Sequence, residues 1–128
     1  MTSHSCSTAV RAAVLGLAAT AILAAQGCGS AESYGEALSD TRATNIGDIL
    51  EAPGSFDGKT VKVEGEVVLE CSTGCWLNLE QDGATIRVDL RPSGLAIPQR
   101  VGSHAAVEGH VLIRDRQPLI VGKGVQIL

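Results

Sequence analysis

From residue 59 onward the chain alternates apolar and polar residues with a period of two, and that pattern leaves little but β-structure open to it. Val61, Val63, Val67 and Leu69 share one face of the first such segment, and Lys62, Glu64, Glu66 and Glu70 share the other. Leu77 and Leu79 continue the inward set after Cys75, and Ile86, Val88 and Leu90 alternate with Thr85, Arg87 and Asp89. Ala105, Val107, Val111 and Ile113 form a fourth inward set, and Leu119, Val121, Val125 and Ile127 a fifth. The spacing predicts five strands, at roughly 59–71, 75–81, 84–91, 103–114 and 118–128. Asp82-Gly83 marks the turn between the second and third, and Arg114-Asp115-Arg116 a solvated turn before Pro118. Between the third and fourth, Pro92, Gly94 and Pro98 leave room only for a short turn.

Two of these segments resemble each other. Gly58-Lys-Thr-Val-Lys-Val-Glu-Gly65-Glu-Val67 aligns with Gly102-Ser-His-Ala-Ala-Val-Glu-Gly109-His-Val111, so that Gly, Val, Glu, Gly and Val coincide. One glycine opens each strand and another interrupts it. A glycine inside a strand weakens a flat sheet but permits a bulge or a sharp bend. A small closed barrel needs such bends, above all in the long, curved first and fourth strands of an OB-type barrel. The expected fold is therefore all-β: a small five-stranded OB-like barrel over residues 45–128. One short helix precedes it, with Asn45 as its cap, Ile46, Ile49 and Leu50 as its apolar stripe and Pro53 as its stop.

The N-terminal third has another character. Ala12 to Ala25 is an uncharged, mostly apolar run, too short to cross a bilayer core of roughly 30 Å, and only Arg11 is positive before it. Gln26 and Gly27 follow, then Cys28, then small polar residues. The arrangement resembles a bacterial lipoprotein signal peptide and lipobox, although Ala25 and Gln26 stand where Leu and a small residue are usual. On this reading residues 1–27 are the removed signal, Cys28 is the lipidated first residue, and 28–44 form a flexible, acylated tether. The expected location is the cell envelope, facing the periplasm or the exterior, with the membrane as partner through the lipid. The alternative is ordinary secretion with cleavage elsewhere.

The chain carries a formal net charge of −4, and loss of Arg11 makes it more negative. An acidic exterior repels phosphate backbones, and a single Trp, Tyr and Phe make a poor stacking platform, which disfavours nucleic acid as a partner. No HExxH, no Gly-rich loop before a helix and no plausible Ser-His-Asp order supports hydrolysis.

Any chemistry rests on Cys71 and Cys75. Between them lie Ser72, Thr73 and Gly74, a three-residue hairpin loop with Gly third, as expected of a type I turn closed by a G1 bulge. Facing antiparallel residues lie about 4.5–5.5 Å apart at Cα, within the span a disulfide accepts. Three fates remain open: a structural disulfide, a thiolate metal or redox site for Zn or Cu, and two unlinked thiols. His104 and His110 are the candidate third ligands, but the alternation places both outward, whereas Cys71 and Cys75 share the parity of Leu69 and Leu77. Trp76 points outward at the hairpin base, either as a cover for the barrel or as a ligand contact.

With the lipobox, Tyr34-Gly35, the "DGKTVKVEGEV" strand and Cys71…Gly74-Cys75-Trp76, residues 34–113 resemble a bacterial domain family of unknown function made of small lipoproteins and secreted proteins. The resemblance implies an OB-like barrel and no established activity. Ser72-Thr73 replace expected basic residues, and Leu77 stands where Met is common. The expected function is a lipid-anchored, non-catalytic binding or interaction module with a protein or small-molecule partner and no required cofactor. The alternatives are a thiol-based metal or redox protein and, less favoured, a single-stranded nucleic-acid binder.

Overall fold

The computed structural model describes residues 32–128. The expected signal segment and Cys28 lie outside the described residues. Six strands form one sheet: β1 (Glu32–Gly35), β2 (Thr60–Glu70), β3 (Trp76–Gln81), β4 (Ala84–Asp89), β5 (His104–Arg114) and β6 (Gln117–Ile127). Five of them close on themselves in the order β2-β3-β4-β6-β5, with β5 returning to β2. All pairings are antiparallel except β4 with β6, which run parallel. This is the order and polarity of an OB barrel, and the five strands fall where the alternation places them, within a residue or two at each end.

The barrel interior is filled largely by the residues that the period-two pattern turns inward, with Ile120 in place of the expected Leu119 and Val121. Val63, Val67, Leu77, Leu79, Val88, Leu90, Val107, Val111 and Ile120 are all fully buried. Each such side chain contributes about 1.5–3 kcal/mol relative to exposure. The helix α1 (Ile46–Glu51) adds Ile46 and Ile49 to the same core. It starts where Asn45 allows it to start: the Asn45 Oδ1 accepts from the Gly47 N–H at 2.8 Å, and the Ile46 N–H donates to Gln81 Oε1 at 2.9 Å. Pro53 ends α1, as expected, but it also opens a second helical turn, α2 (Pro53–Phe56), because proline at the first helical position removes no needed donor.

The internal repeat has a mechanical meaning. β2 and β5, which carry its two copies, pair with each other, Val61 opposite Gly109 and Gly65 opposite Ala105. Gly58 and Gly102, which open them, both hold positive φ. At Gly109 the β5–β6 register slips by one residue, and a Cβ there would collide with the Val121 carbonyl. A Cβ at Gly65 would lie 2.5 Å from the Glu80 carbonyl oxygen, where β2 leaves β5 and takes up β3. Both interior glycines thus mark points where another strand's backbone comes too close for a side chain.

Three expectations need correction. The alternation puts Leu119 and Val121 inward, yet Ile120 between them joins the core and Leu119 pairs with Arg87 on the outer face, because the β5–β6 register slips at Gly109, with Lys123 as the extra residue. Residues 29–44 were expected to be a flexible tether, yet Glu32–Gly35 pair with β6, Glu32 opposite Ile127 and Gly35 opposite Gly124. The reason is an edge. β4 covers only Leu119–Val121 of β6, so the rest of that edge would leave unpaired N–H and C=O groups without β1. Leu69 was placed inward with Val67, yet it is 49 % exposed. The β2–β3 register shifts between Val67 and Leu69, so that Val67 faces Leu79 but Leu69 faces Asn78. One extra residue in a strand turns all that follows to the opposite face.

Candidate ligand face and disulfide hairpin

The β2–β3 hairpin keeps the expected glycine turn, but its register puts Cys71 opposite Trp76 and leaves Cys75 within the loop, one residue off the predicted facing pair. The Gly74 N–H donates to the Cys71 carbonyl at 2.9 Å, the Cys71 N–H donates to the Trp76 carbonyl at 3.0 Å, and Gly74 holds φ +71°. Cys71 and Cys75, 5.8 Å apart at Cα, form a disulfide. The loop is docked as well as bridged. Gly74 is buried against Ile97, whose N–H donates to the Gly74 carbonyl at 3.1 Å, and Gln99 Nε2 donates to the Cys71 carbonyl at 2.9 Å.

The bridge bears directly on the thiolate metal site. Joined sulfurs are not thiolates, and zinc or copper bound by them requires the bridge to open first. Nor are the two histidines brought to the cysteines. His104 is exposed at the start of β5 opposite Glu66, and His110 is half-buried opposite Thr60 on β2 and Val121 on β6. Among the described residues no group of three or more His, Cys, Asp or Glu is gathered closely enough to hold a metal ion.

The outer face of β2, β3 and β4 is where chemically distinct side chains do meet. Leu69, Asn78 and Arg87 lie in one row across the three strands, and Trp76 lies on the same face two residues before Asn78. The Arg87 guanidinium carbon sits 3.8 Å from the Trp76 ring centroid, and Arg87 Nε donates to Asn78 Oδ1 at 2.6 Å. A cation over an aromatic ring at an exposed site stabilises by about 0.5–1 kcal/mol. Here it also fixes both side chains in one orientation.

Beside this row an open cleft of about 430 Å³ runs between the end of β4 and the β5–β6 hairpin. Arg87, Arg91 and Arg114 line it, with Asp89 at its floor. Asp89 is only 3 % exposed and accepts from three donors of Arg91: the backbone N–H at 3.1 Å, Nε at 2.9 Å and Nη2 at 2.9 Å. Those bonds hold its carboxyl below the usual value, with burial opposing them more weakly. Arg114 Nη1 stands 3.8 Å from the same carboxylate, too far for a hydrogen bond. A 3-10 turn at Arg91–Ser93 carries Arg91 into place, and Ser93 Oγ ties that turn to β6 by donating to the Gly122 carbonyl at 2.7 Å.

Sequence reasoning singled out Trp76 but not this cleft. Arg114 and Asp115 read as a solvated turn in the sequence and Arg91 carries no motif, because residues 87, 91 and 114 share no spacing that strands or helices would bring together. One signal was present in the sequence, a two-residue turn at Asp115-Arg116 with no glycine, and in the structure both residues hold positive φ, 50° and 65°. Such backbone strain clusters at functional sites.

Fold and site together define an all-β OB-like barrel with a disulfide-closed hairpin and an arginine-lined cleft on its outer face. No family model matches the chain, and no curated protein matches it in sequence. Among solved structures it is similar to "the hypothetical protein ygiW from E. coli", with a TM-score of 0.54 and 16 % identity, over 70 % of this chain and 94 % of that one. At that identity the likeness shows the fold alone.

Proposed function

We propose that the chain is a lipid-anchored, non-catalytic binding module of the cell envelope that takes its ligand on the outer face of β2, β3 and β4. The observation that carries this reading is the bulge that turns Leu69 outward beside Asn78 and the Trp76–Arg87 stack. An exposed leucine, an ordered indole, an amide and a cation on one rigid sheet face suit a ligand with both apolar and polar parts. OB barrels commonly bind on this part of the sheet. The disulfide supports the exported location, since such bridges persist in oxidising compartments. A nucleic-acid ligand is the weaker proposal, because the net charge is −4 and the aromatic residues are few.

Trp76 is the sole tryptophan, so its emission reports this face directly. Titration with a panel of envelope-derived small molecules is expected to give at least one saturable change in that emission, abolished by Leu69→Glu. A full panel without any response overturns the binding reading. For the anchor, the full chain expressed in a bacterium is expected in the membrane fraction with Cys28 diacylated by mass, and Cys28→Ser to release it. An unmodified Cys28 in a soluble protein overturns the lipid anchor and leaves the binding face to be judged by its own titration.

A further inference from the structure

We propose that the cleft between the end of β4 and the β5–β6 hairpin is a carboxylate site, taking a ligand with one negative charge and an apolar tail that lies toward Leu69. The proposal rests on the outer sheet face being the ligand surface, and it names the ligand's chemical class.

The argument starts from which guanidinium N–H groups are already used. Each arginine has five. Arg87 spends Nε on Asn78, and Arg91 spends Nε and one Nη2 proton on Asp89. Arg114 stops at 3.8 Å from Asp89 and makes no hydrogen bond to it. The side chains of Arg91 and Arg114 are 59 % and 51 % exposed, so their remaining donors face the cleft and solvent. Planar guanidinium forks match a carboxylate or a phosphate, two parallel N–H···O bonds at a time.

Charge decides between those two. The lining holds Arg87, Arg91 and Arg114 against Asp89 and Asp115, which leaves one net positive charge. A monoanion neutralises it. A phosphate dianion overshoots, and a polyphosphate chain would continue over a protein whose net charge is −4. The apolar part follows from the row that crosses the sheet. Leu119 lines the cleft opposite Arg87, and Asn78 and Leu69 extend from Arg87 in the other direction. Asp89 is the positioning residue: bonded to Arg91 beneath the cleft, it fixes one fork before any ligand arrives.

The test uses three small probes at constant ionic strength: hexanoate, hexan-1-ol and inorganic phosphate. Binding is read from the backbone amide and arginine Nε–H resonances of residues 32–128. Hexanoate is expected to shift the Arg87, Arg91 and Arg114 side-chain signals saturably and to bind more tightly than phosphate. Arg114→Gln is expected to weaken hexanoate about tenfold, the loss of a charge-assisted bond, while Arg42→Gln, outside the cleft, leaves it unchanged. Arginine signals unmoved by hexanoate, or phosphate binding as tightly as hexanoate, overturn the carboxylate site. If hexan-1-ol then still shifts Leu69 and Trp76, only the ligand class fails. If no probe moves any residue of the face, the reading of that face fails with it.

Discussion

Two hairpins flank the outer sheet face, and they are held in opposite ways. The β2–β3 hairpin has glycine where its turn needs positive φ, a disulfide across its base, and the Ile97 backbone packed against Gly74. The β5–β6 hairpin has Asp115 and Arg116 at positive φ, no covalent tie, and exposed residues at its tip. The β3–β4 turn shows that the chain builds such a turn with glycine elsewhere, since Asp82-Gly83 holds positive φ at both positions. A covalently pinned loop thus fixes the strand that presents Trp76, while a loop with an unfavourable backbone walls the arginine cleft. Conformational strain sits beside the arginine cleft, and the covalent tie sits beside Trp76.

The contrast can be broken most sharply at Gly74. Gly74→Ala puts a Cβ into the Ile97 backbone at positive φ, and a loss of about 3 kcal/mol is expected in denaturant unfolding. An unchanged midpoint would show that the hairpin is not docked as described. Removing the bridge with Cys71→Ser and Cys75→Ser together costs about 2 kcal/mol, because the closed loop is short. The same double variant is expected to broaden the emission of Trp76.

At the cleft, Asp89→Asn is expected to cost about 1.5 kcal/mol near neutral pH, by weakening the charge-assisted bonds from Arg91. The pH dependence has a definite sign. The folded carboxyl titrates below its ordinary value near 3.8, so its stabilisation is present above that value and is lost as pH falls through the lower folded one. Between pH 5 and pH 2 the melting temperature of the unmodified chain should therefore fall further than that of Asp89→Asn. Glu32 is shifted in the same direction by its bonds from Arg100, but both proteins keep it, so the difference isolates Asp89. The smallest effect is expected from Arg116→Gly, a gain of about 0.5–1 kcal/mol from relief of the positive φ. A loss there would mean that Arg116 makes a contact worth more than its backbone strain.

Some of this was legible in the residues and some was not, for identifiable reasons. The alternation from Val61 to Ile127 names most of the inward residues but fails at Leu69 and at Leu119 and Val121, and the Cys-x3-Cys spacing with Gly74 puts the two cysteines within reach of the bridge that forms. Leu69 goes to the wrong face in the alternation because the apolar run Val67-Val68-Leu69 breaks the period without showing which residue is extra; that is fixed only by the pairing of β2 with β3. β1 was missed because Glu-Ser-Tyr-Gly carries no period, and its strand conformation is imposed by the bare edge of β6. The arginine cleft was missed because its members come from β4, from the turn after it and from the β5–β6 hairpin.

By itself, then, the order of residues determined what is local: period-two burial, turn chemistry at Gly74 and Asp82-Gly83, the Asn45 cap, and two cysteines within bridging reach. Those depend on a few neighbours and on backbone sterics, which any chain with these residues would share. Barrel closure, the outward turn of Leu69, the strand at Glu32–Gly35 and the meeting of Arg87, Arg91 and Arg114 over Asp89 were decided only in three dimensions. Each requires separate segments to be in register, from nine residues apart for Leu69 and Asn78 to more than ninety for Glu32 and Ile127, and a one-residue slip between strands sends a side chain to the core or to the outer face.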